Sequence, residues 1–298
     1  MNRREFIKLS AIMGLTLTDG LGYFISNTEA SDKSDLAVVQ GTSPSNVTRA
    51  AIDAIGGIKR FVSKGDTVVV KPNMAWDRVP EQAANTNPEV VAAVVKMCVE
   101  AGARKVKVFD RAVNDPRRCY VQSGIADAAK AAGAEVSHID YRKFRDVDTK
   151  GSNLKVWPIY TDVLEADKVI NVPIAKHHGL ARLTMAMKNW MGVMGGSRGG
   201  IHQKLDECIA ELAAFIKPTL TVLDAVRILT ANGPQGGNLA DVKRLDTVIA
   251  SIDQVAVDAY GATLFGMKGS DLGYVRYANR LGLGNMDMSR INIKKVNI

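Results

Sequence analysis

The sequence predicts an α/β protein, a single three-layer α/β/α domain built on a mostly parallel sheet. Three observations predict it. Short β-branched runs alternate with segments of helical periodicity, the mark of strand–helix–strand units. Those runs end in polar and charged residues, as strands do where an open parallel sheet meets its ligand. The chain has 298 residues, 46% hydrophobic and 23% charged, which suits a globular domain and excludes a disordered chain or a membrane bundle.

The elements follow in order. Asp35–Gln40 reads as a first strand and Pro44–Ile55 as its helix. Thr67–Lys71 carries three successive valines, the composition of a strand buried on both faces. Pro88 behind Asn87 opens a helix whose apolar face is Val90, Val91, Val94, Val95 and Cys98, and Gly102 ends it. Val106–Phe109 is the next strand, closing on Asp110. Ile125–Ala132 is helical, Glu135–Ile139 and Lys168–Val172 are strands, Leu205–Ile216 is a helix, Leu220–Leu223 a strand and Gln254–Leu264 a helix. Arg142–Trp157 and Arg182–His202 are read as elaborations on this frame.

The amino terminus carries an export signal. Arg3 and Arg4 precede Glu5, Phe6, Ile7 and Lys8, and a moderately apolar stretch from Leu9 to Thr18 follows. This is a twin-arginine pattern. The stretch is too short to span a bilayer, which takes about 20 apolar residues, so no stable membrane span is expected. Small residues around Ala30 place a signal-peptidase cut there. Residues 1–30 are therefore expected to be a twin-arginine signal peptide, with the twin-arginine translocase as a partner, and 31–298 the domain. The expected location is periplasmic or otherwise exported.

Thirty-nine Lys and Arg against 31 Asp and Glu leave a net charge of +8. The excess is spread along the chain and aromatics are only 6%, which argues against a nucleic-acid partner, since such proteins concentrate basic residues in stripes with aromatics between. Attraction of a small anion is the use that remains. Cys98, Cys119 and Cys208 are single and widely spaced, so no iron–sulfur or zinc-knuckle run exists in this chain.

The candidate site is read from strand ends. Lys71 and Asn73 follow one strand, Asp110 another, Lys176, His177 and His178 a third, and Asp224 a fourth. The four histidines of the chain include His177, His178 and His202, close in sequence to Lys176, Lys188 and Asn189. Lysine holds a carboxylate or phosphate as a point charge, and histidine titrates nearest neutral pH. A divalent metal would have to be assembled in space from His178, His202 and Asp110 or Asp224, because no paired-histidine spacing occurs. The glycine-rich run from Gly192 to Gly200 lacks the ending of a phosphate-binding P-loop. It is read either as a lid or as a flexible connection.

Lys71-Pro72-Asn73, Thr86-Asn87-Pro88-Glu89, Val169-Ile170-Asn171-Val172-Pro173, Lys176 with His178, Thr184 through Lys188-Asn189 to Gly192, His202, Asp224, Gly233-Pro234 with Gly236, and Asp253 with Ala256 and Asp258 together resemble the family called domain of unknown function 362. The resemblance covers about 35 to 284. It implies a site of Lys71, Asn73, Lys176, His178, Lys188, Asn189, His202 and Asp224. Many members of the family have a threonine where this chain has His177, and some carry a cysteine-rich ferredoxin-like module that has no counterpart here.

The function expected from these readings is an exported enzyme acting on a small anionic substrate. Lys176, Lys188, His178 and His202 are its catalytic candidates, and Lys71, Asn73, Asn189 and Asp224 bind substrate. Isomerisation, lyase chemistry and metal-assisted hydrolysis are all compatible with it. The alternative is a non-catalytic periplasmic anion- or metal-binding protein, or an accessory to a redox complex, using the same residues.

Overall fold

The computed structural model describes residues 35–298; the expected signal peptide at 1–30 lies outside the described residues. The strands are β1 (Leu36–Gln40), β2 (Thr67–Pro72), β3 (Lys105–Val108), β4 (Glu135–Val136), β5 (Phe144–Asp148), β6 (Val156–Tyr160), β7 (Lys168–Val172), β8 (Ile174–His178), β9 (Arg182–Thr184), β10 (Leu220–Leu229), β11 (Val242–Ser251) and β12 (Ile293–Asn297). The helices are α1 (Pro44–Ala54), α2 (Pro88–Glu100), α3 (Pro116–Gln122), α4 (Ile125–Ala131), α5 (Thr161–Glu165), α6 (Leu205–Ile216), α7 (Gln254–Thr263) and α8 (Gly273–Arg280). No helix among the described residues is long and apolar enough to cross a membrane.

The central sheet runs in the order β12-β1-β11-β10-β7-β2-β3-β4, with β8 branching from β10 and carrying β9. Its pairs are parallel except where β11 meets β1 and β10 and where β9 meets β8. The sheet is thus mostly parallel, as the alternation of strands and helices predicts.

Period-two alternation assigns each strand residue to one of two apolar layers. In β2, Val68 and Val70 pack with α1, α2 and α4, whereas Val69 faces the layer of α6, α7 and α8. In β7, Ile170 and Val172 join the first layer and Val169 the second. Helix α2 starts where its sequence says: Pro88 occupies the first turn, and the Asn87 side chain accepts the Glu89 amide at 2.8 Å.

Three expectations change on folding. β10 does not stop at Leu223 but runs through Asp224 to Leu229, because β11 pairs along it. Asp224 is therefore a mid-strand residue. Lys176 and His178 also lie in a strand, β8, which resumes one residue after β7 at Ile174. The Arg142–Trp157 elaboration contains most of a two-stranded β5–β6 ribbon.

Helix α7 contributes a buried carboxylate that bears on the site. Asp258 accepts the amides of Ala186 at 2.6 Å and Met187 at 3.0 Å, fixing the chain just before Lys188. Burial raises its pKa to about 7, against the opposing pull of those amides. A carboxyl with a folded pKa above its unfolded value favours the fold at low pH and loses that advantage as pH rises towards 7. Asp258→Asn is therefore expected to cost more stability at pH 5 than at pH 8, by on the order of 2 kcal/mol. Urea midpoints at the two pH values measure it; an equal cost at both would refute the assignment.

Candidate functional site

The ends of β2, β3, β8 and β9 converge on a cavity of about 420 Å³. Its lining includes Lys71, Asn73, Asp110, Lys176, His178, Lys188, Asn189 and His202, joined by Trp76, Thr184, Arg198 and the Gly233-Pro234 turn. The size suits a small-molecule ligand. Of the residues expected at the site, Asp224 does not line this cavity.

The floor is a buried ion pair. Lys71 and Asp110 are each 1% exposed, with Nζ 2.8 Å from Oδ1. Lys71 Nζ also donates to the Pro72 carbonyl at 2.8 Å and to Asn189 Oδ1 at 3.0 Å. An ammonium has three donors, and all three are taken. Burial lowers the Lys71 pKa more than the attraction of Asp110 raises it. Asp110 Oδ2 accepts the Met74 amide at 2.7 Å. In this geometry Lys71 anchors the floor and has no donor left for a ligand.

A chain of amides links this pair to the second lysine. Asn189 Oδ1 accepts Asn73 Nδ2 at 3.2 Å, and Asn73 Oδ1 accepts Lys176 Nζ at 3.3 Å. Asn189 Nδ2 donates to the Lys71 carbonyl at 3.2 Å and to Asn171 Oδ1 at 2.9 Å. Lys176 Nζ donates also to the Ala84 carbonyl and lies 5.7 Å from the Trp76 ring centroid. Burial, with Lys188 and Lys71 nearby, pushes the Lys176 pKa well below the ordinary lysine value.

Strand alternation decides the rest. Lys176 and His178 share one face of β8, and Thr184 of β9 stands directly across from Lys176. His177 falls on the opposite face, where its Nδ1 accepts the Gly233 amide at 3.0 Å. It thereby supports the turn at the cavity wall. Thr184 Oγ1 is buried without a hydrogen-bond partner among the described residues.

His178 Nδ1 accepts the amides of Leu180 at 3.1 Å and Ala181 at 3.2 Å. Burial, then the neighbouring Lys188 and Lys176, push its pKa down to about 3. The ring is neutral at physiological pH, and an accepting Nδ1 leaves the proton on Nε2. His178 thus presents an Nε2–H donor to the cavity it lines. His202 is exposed, at the rim.

Lys188 differs from the other two cavity lysines. It is 9% exposed, and among the described residues its Nζ meets only Met191 Sδ, at 3.6 Å. No carboxylate among the described residues lies within ion-pair distance of it. Burial and the nearby Arg198 push its pKa down to about 8.

The glycine-rich run is pinned at several points. Arg198 donates to the carbonyls of Arg111 at 3.0 Å, Met191 at 3.3 Å and Ala112 at 3.3 Å, and Arg111 donates to those of Met194 at 2.8 Å and Gly196 at 3.1 Å. Of the two readings of this segment, a lid or a flexible connection, the geometry favours neither: it is a stapled wall. Arg198 was missed in the sequence, although an arginine inside a glycine run was the available signal. Trp76 and Thr184 carried no signal, because only the pairing of strands brings them in.

Asp224 is buried elsewhere. Its Oδ2 accepts the Asn87 amide at 2.7 Å and its Oδ1 the Val226 amide at 2.9 Å, and burial pushes its pKa up to about 6. It ties β10 to the start of α2. The donors a metal would need are thus engaged separately: Asp110 by Lys71, Asp224 by amides, and His178 through Nδ1. Among the described residues no cluster of three or more His, Cys, Asp or Glu could hold a metal. The three cysteines are free and buried, and burial raises Cys98 to about 12 and Cys119 and Cys208 to about 11. None is a reactive thiolate.

Residues 68–263 match the family described as Domain of unknown function (DUF362). The chain is 28% identical over 243 residues to a thylakoid-associated protein of Synechocystis sp., covering 79% of this chain and 74% of that one. Among solved structures it is similar to the lactate racemase apoprotein of Thermoanaerobacterium thermosaccharolyticum, at 11% identity and a TM-score of 0.48 over 73% of this chain and 54% of that one. A Thermotoga maritima protein aligns at 9% identity and a TM-score of 0.44, over 76% and 60%. The chain thus spans about half to three fifths of the length of these two structures.

The floor makes a stability prediction. A Cβ at Gly192 would overlap Asp110 Oδ1 and crowd Lys71 Nζ. Lys71→Met strands a buried carboxylate and is expected to cost about 3–5 kcal/mol, and Gly192→Ala is expected to destabilise through the same pair. In denaturant melts, Lys71→Met with Asp110→Asn should recover part of the loss. A double variant as damaged as the sum of the singles would show that the pair is not the cause.

Proposed function

From its place in the domain of unknown function 362 family, to which the chain belongs, and from its cavity, we propose that this protein is an enzyme acting on a small anionic substrate. The observation that carries the reading is a charge imbalance. Lys176, Lys188 and Arg198 surround a cavity whose carboxylate, Asp110, is already neutralised by Lys71. Burial disfavours the ammonium forms of both lysines, and an anionic ligand supplies the counter-charge that restores them. Thr184 Oγ1, buried and unpartnered, supplies a further polar contact.

The chemistry such a site supports is proton transfer. Lys188, with its pKa near 8, exchanges a proton near neutral pH. His178, neutral and protonated on Nε2, stabilises a developing oxyanion by donating a hydrogen bond. Base-assisted isomerisation or elimination fits these roles. His202, at the rim, meets the ligand on entry.

The proposed location is outside the cytoplasm, reached by the twin-arginine route. Arg3 and Arg4 support it from the sequence, and the thylakoid association of a relative is compatible with export or membrane attachment. Replacing both arginines by lysine is expected to retain the protein in the cytoplasmic fraction; unchanged export would refute the route.

Anion binding should take up protons. A bound anion favours the ammonium form of Lys188, so binding of inorganic phosphate at pH 8 is expected to draw up to about half a proton for a group with a pKa near 8, and affinity should fall as pH rises further. Calorimetry in buffers of different ionisation enthalpy measures this uptake. Lys188→Met should reduce the uptake and weaken binding; wild-type uptake in that variant would remove Lys188 from the site.

A further inference from the structure

We propose that Lys188 is a nucleophile, whose ε-amine forms an imine with the carbonyl carbon of a small anionic oxo compound, the class of 2-oxo acids. The inference rests on the anion-site reading above and goes on to name the substrate's reactive group.

Of the three cavity lysines, Lys188 is the one whose amine has no oxygen partner among the described residues. Lys71 has every donor engaged, and Lys176 is held by Asn73 and the Ala84 carbonyl. Lys188 Nζ has no oxygen partner and touches a thioether. A buried amine beside other cations is held partly as the free base, which is the attacking form. Its backbone is fixed on both sides: Asp258 holds the amides of Ala186 and Met187, and the side chain of the next residue, Asn189, is locked between Lys71, Asn73 and Asn171. The amine is presented from a rigid support, as positioned reactions require.

The surroundings match the two ends of such a substrate. Arg198, Lys176 and the cationic cavity suit a carboxylate, which arginine and lysine both recognise. His178 Nε2–H and the unpartnered Thr184 hydroxyl are donors for the carbonyl oxygen. In the reaction the neutral Nζ forms a bond to the carbonyl carbon, and the C=O electron pair moves to oxygen. The nitrogen gives up its protons and the oxygen leaves as water, so amine and ketone become imine and water with no change of oxidation state. Protonated, the imine draws electrons from C3 of the acid, which eases loss of a proton there.

Borohydride trapping tests it. The full chain is incubated with pyruvate or glyoxylate, reduced, and mapped by peptide mass. The expected result is a reduced adduct on the Lys188 peptide, blocked by inorganic phosphate. Its yield should rise up to about pH 8 and then level off, whereas an exposed lysine would keep gaining to about pH 10. Lys188→Arg should bind phosphate but form no adduct at this site. Phosphate binding without an adduct from either acid, or an adduct spread equally over surface lysines in wild type and Lys188→Arg, overturns the imine and leaves the anion site standing. Failure of phosphate to bind wild-type protein overturns both readings.

Discussion

The site depends on the buried contact between Lys71 and Asp110. Taking both charges out of water is costly, and their attraction alone does not reliably offset that cost. Here further hydrogen bonds support the pair: the Pro72 carbonyl and Asn189 accept from the ammonium, and the Met74 amide donates to Oδ2 of the carboxylate. Because Lys71 ends β2 and Asp110 follows β3, the pair ties together two adjacent strand ends. Through Asn189 it also sets the turn that carries Lys188. Gly192 closes over the pair so tightly that no side chain fits.

This floor divides the polar residues of the cavity into two kinds. Lys71, Asn73, Asn189 and Asn171 are joined by hydrogen bonds to one another and to nearby backbone carbonyls and form a preorganised scaffold. Lys188, Thr184 and the Nε2 of His178 do not. Uncommitted polar groups in a buried place carry an energetic cost, and a ligand that pairs with them relieves it. Lys188 and Asn189, one of each kind, are adjacent in the chain, so there rigidity and reactivity come from neighbouring residues.

The two arginines of the wall serve the same end. Arg111 and Arg198 cross-link the glycine-rich run to the loop after β3 through backbone carbonyls. Glycine lets this backbone approach the Lys71–Asp110 pair, and the arginines offset the freedom glycine brings. Burial lowers the Arg198 pKa and Arg111 adds to the effect, while Asp110 opposes it, so the wall adds positive field to the cavity.

The sequence by itself determined the layers and most of the strand ends. Valine runs at period two and capped helices at period 3.6 depend on neighbours within a few residues, so the two apolar layers and the start of α2 were legible. Lys71, Asn73, Asp110, Lys176 and His178 were legible too, because a parallel sheet delivers residues after its strands to one edge, and Lys188 stood out by its closeness in sequence to the histidines. What each of them does was decided only by tertiary structure. The length of β10, and with it the removal of Asp224 from the cavity, follows from pairing with β11. The saturation of Lys71 and the isolation of Lys188 depend on partners more than a hundred residues away in one case and on their absence in the other. A side chain's charge state and free hydrogen bonds are set by everything that surrounds it in space, and linear spacing carries no record of that.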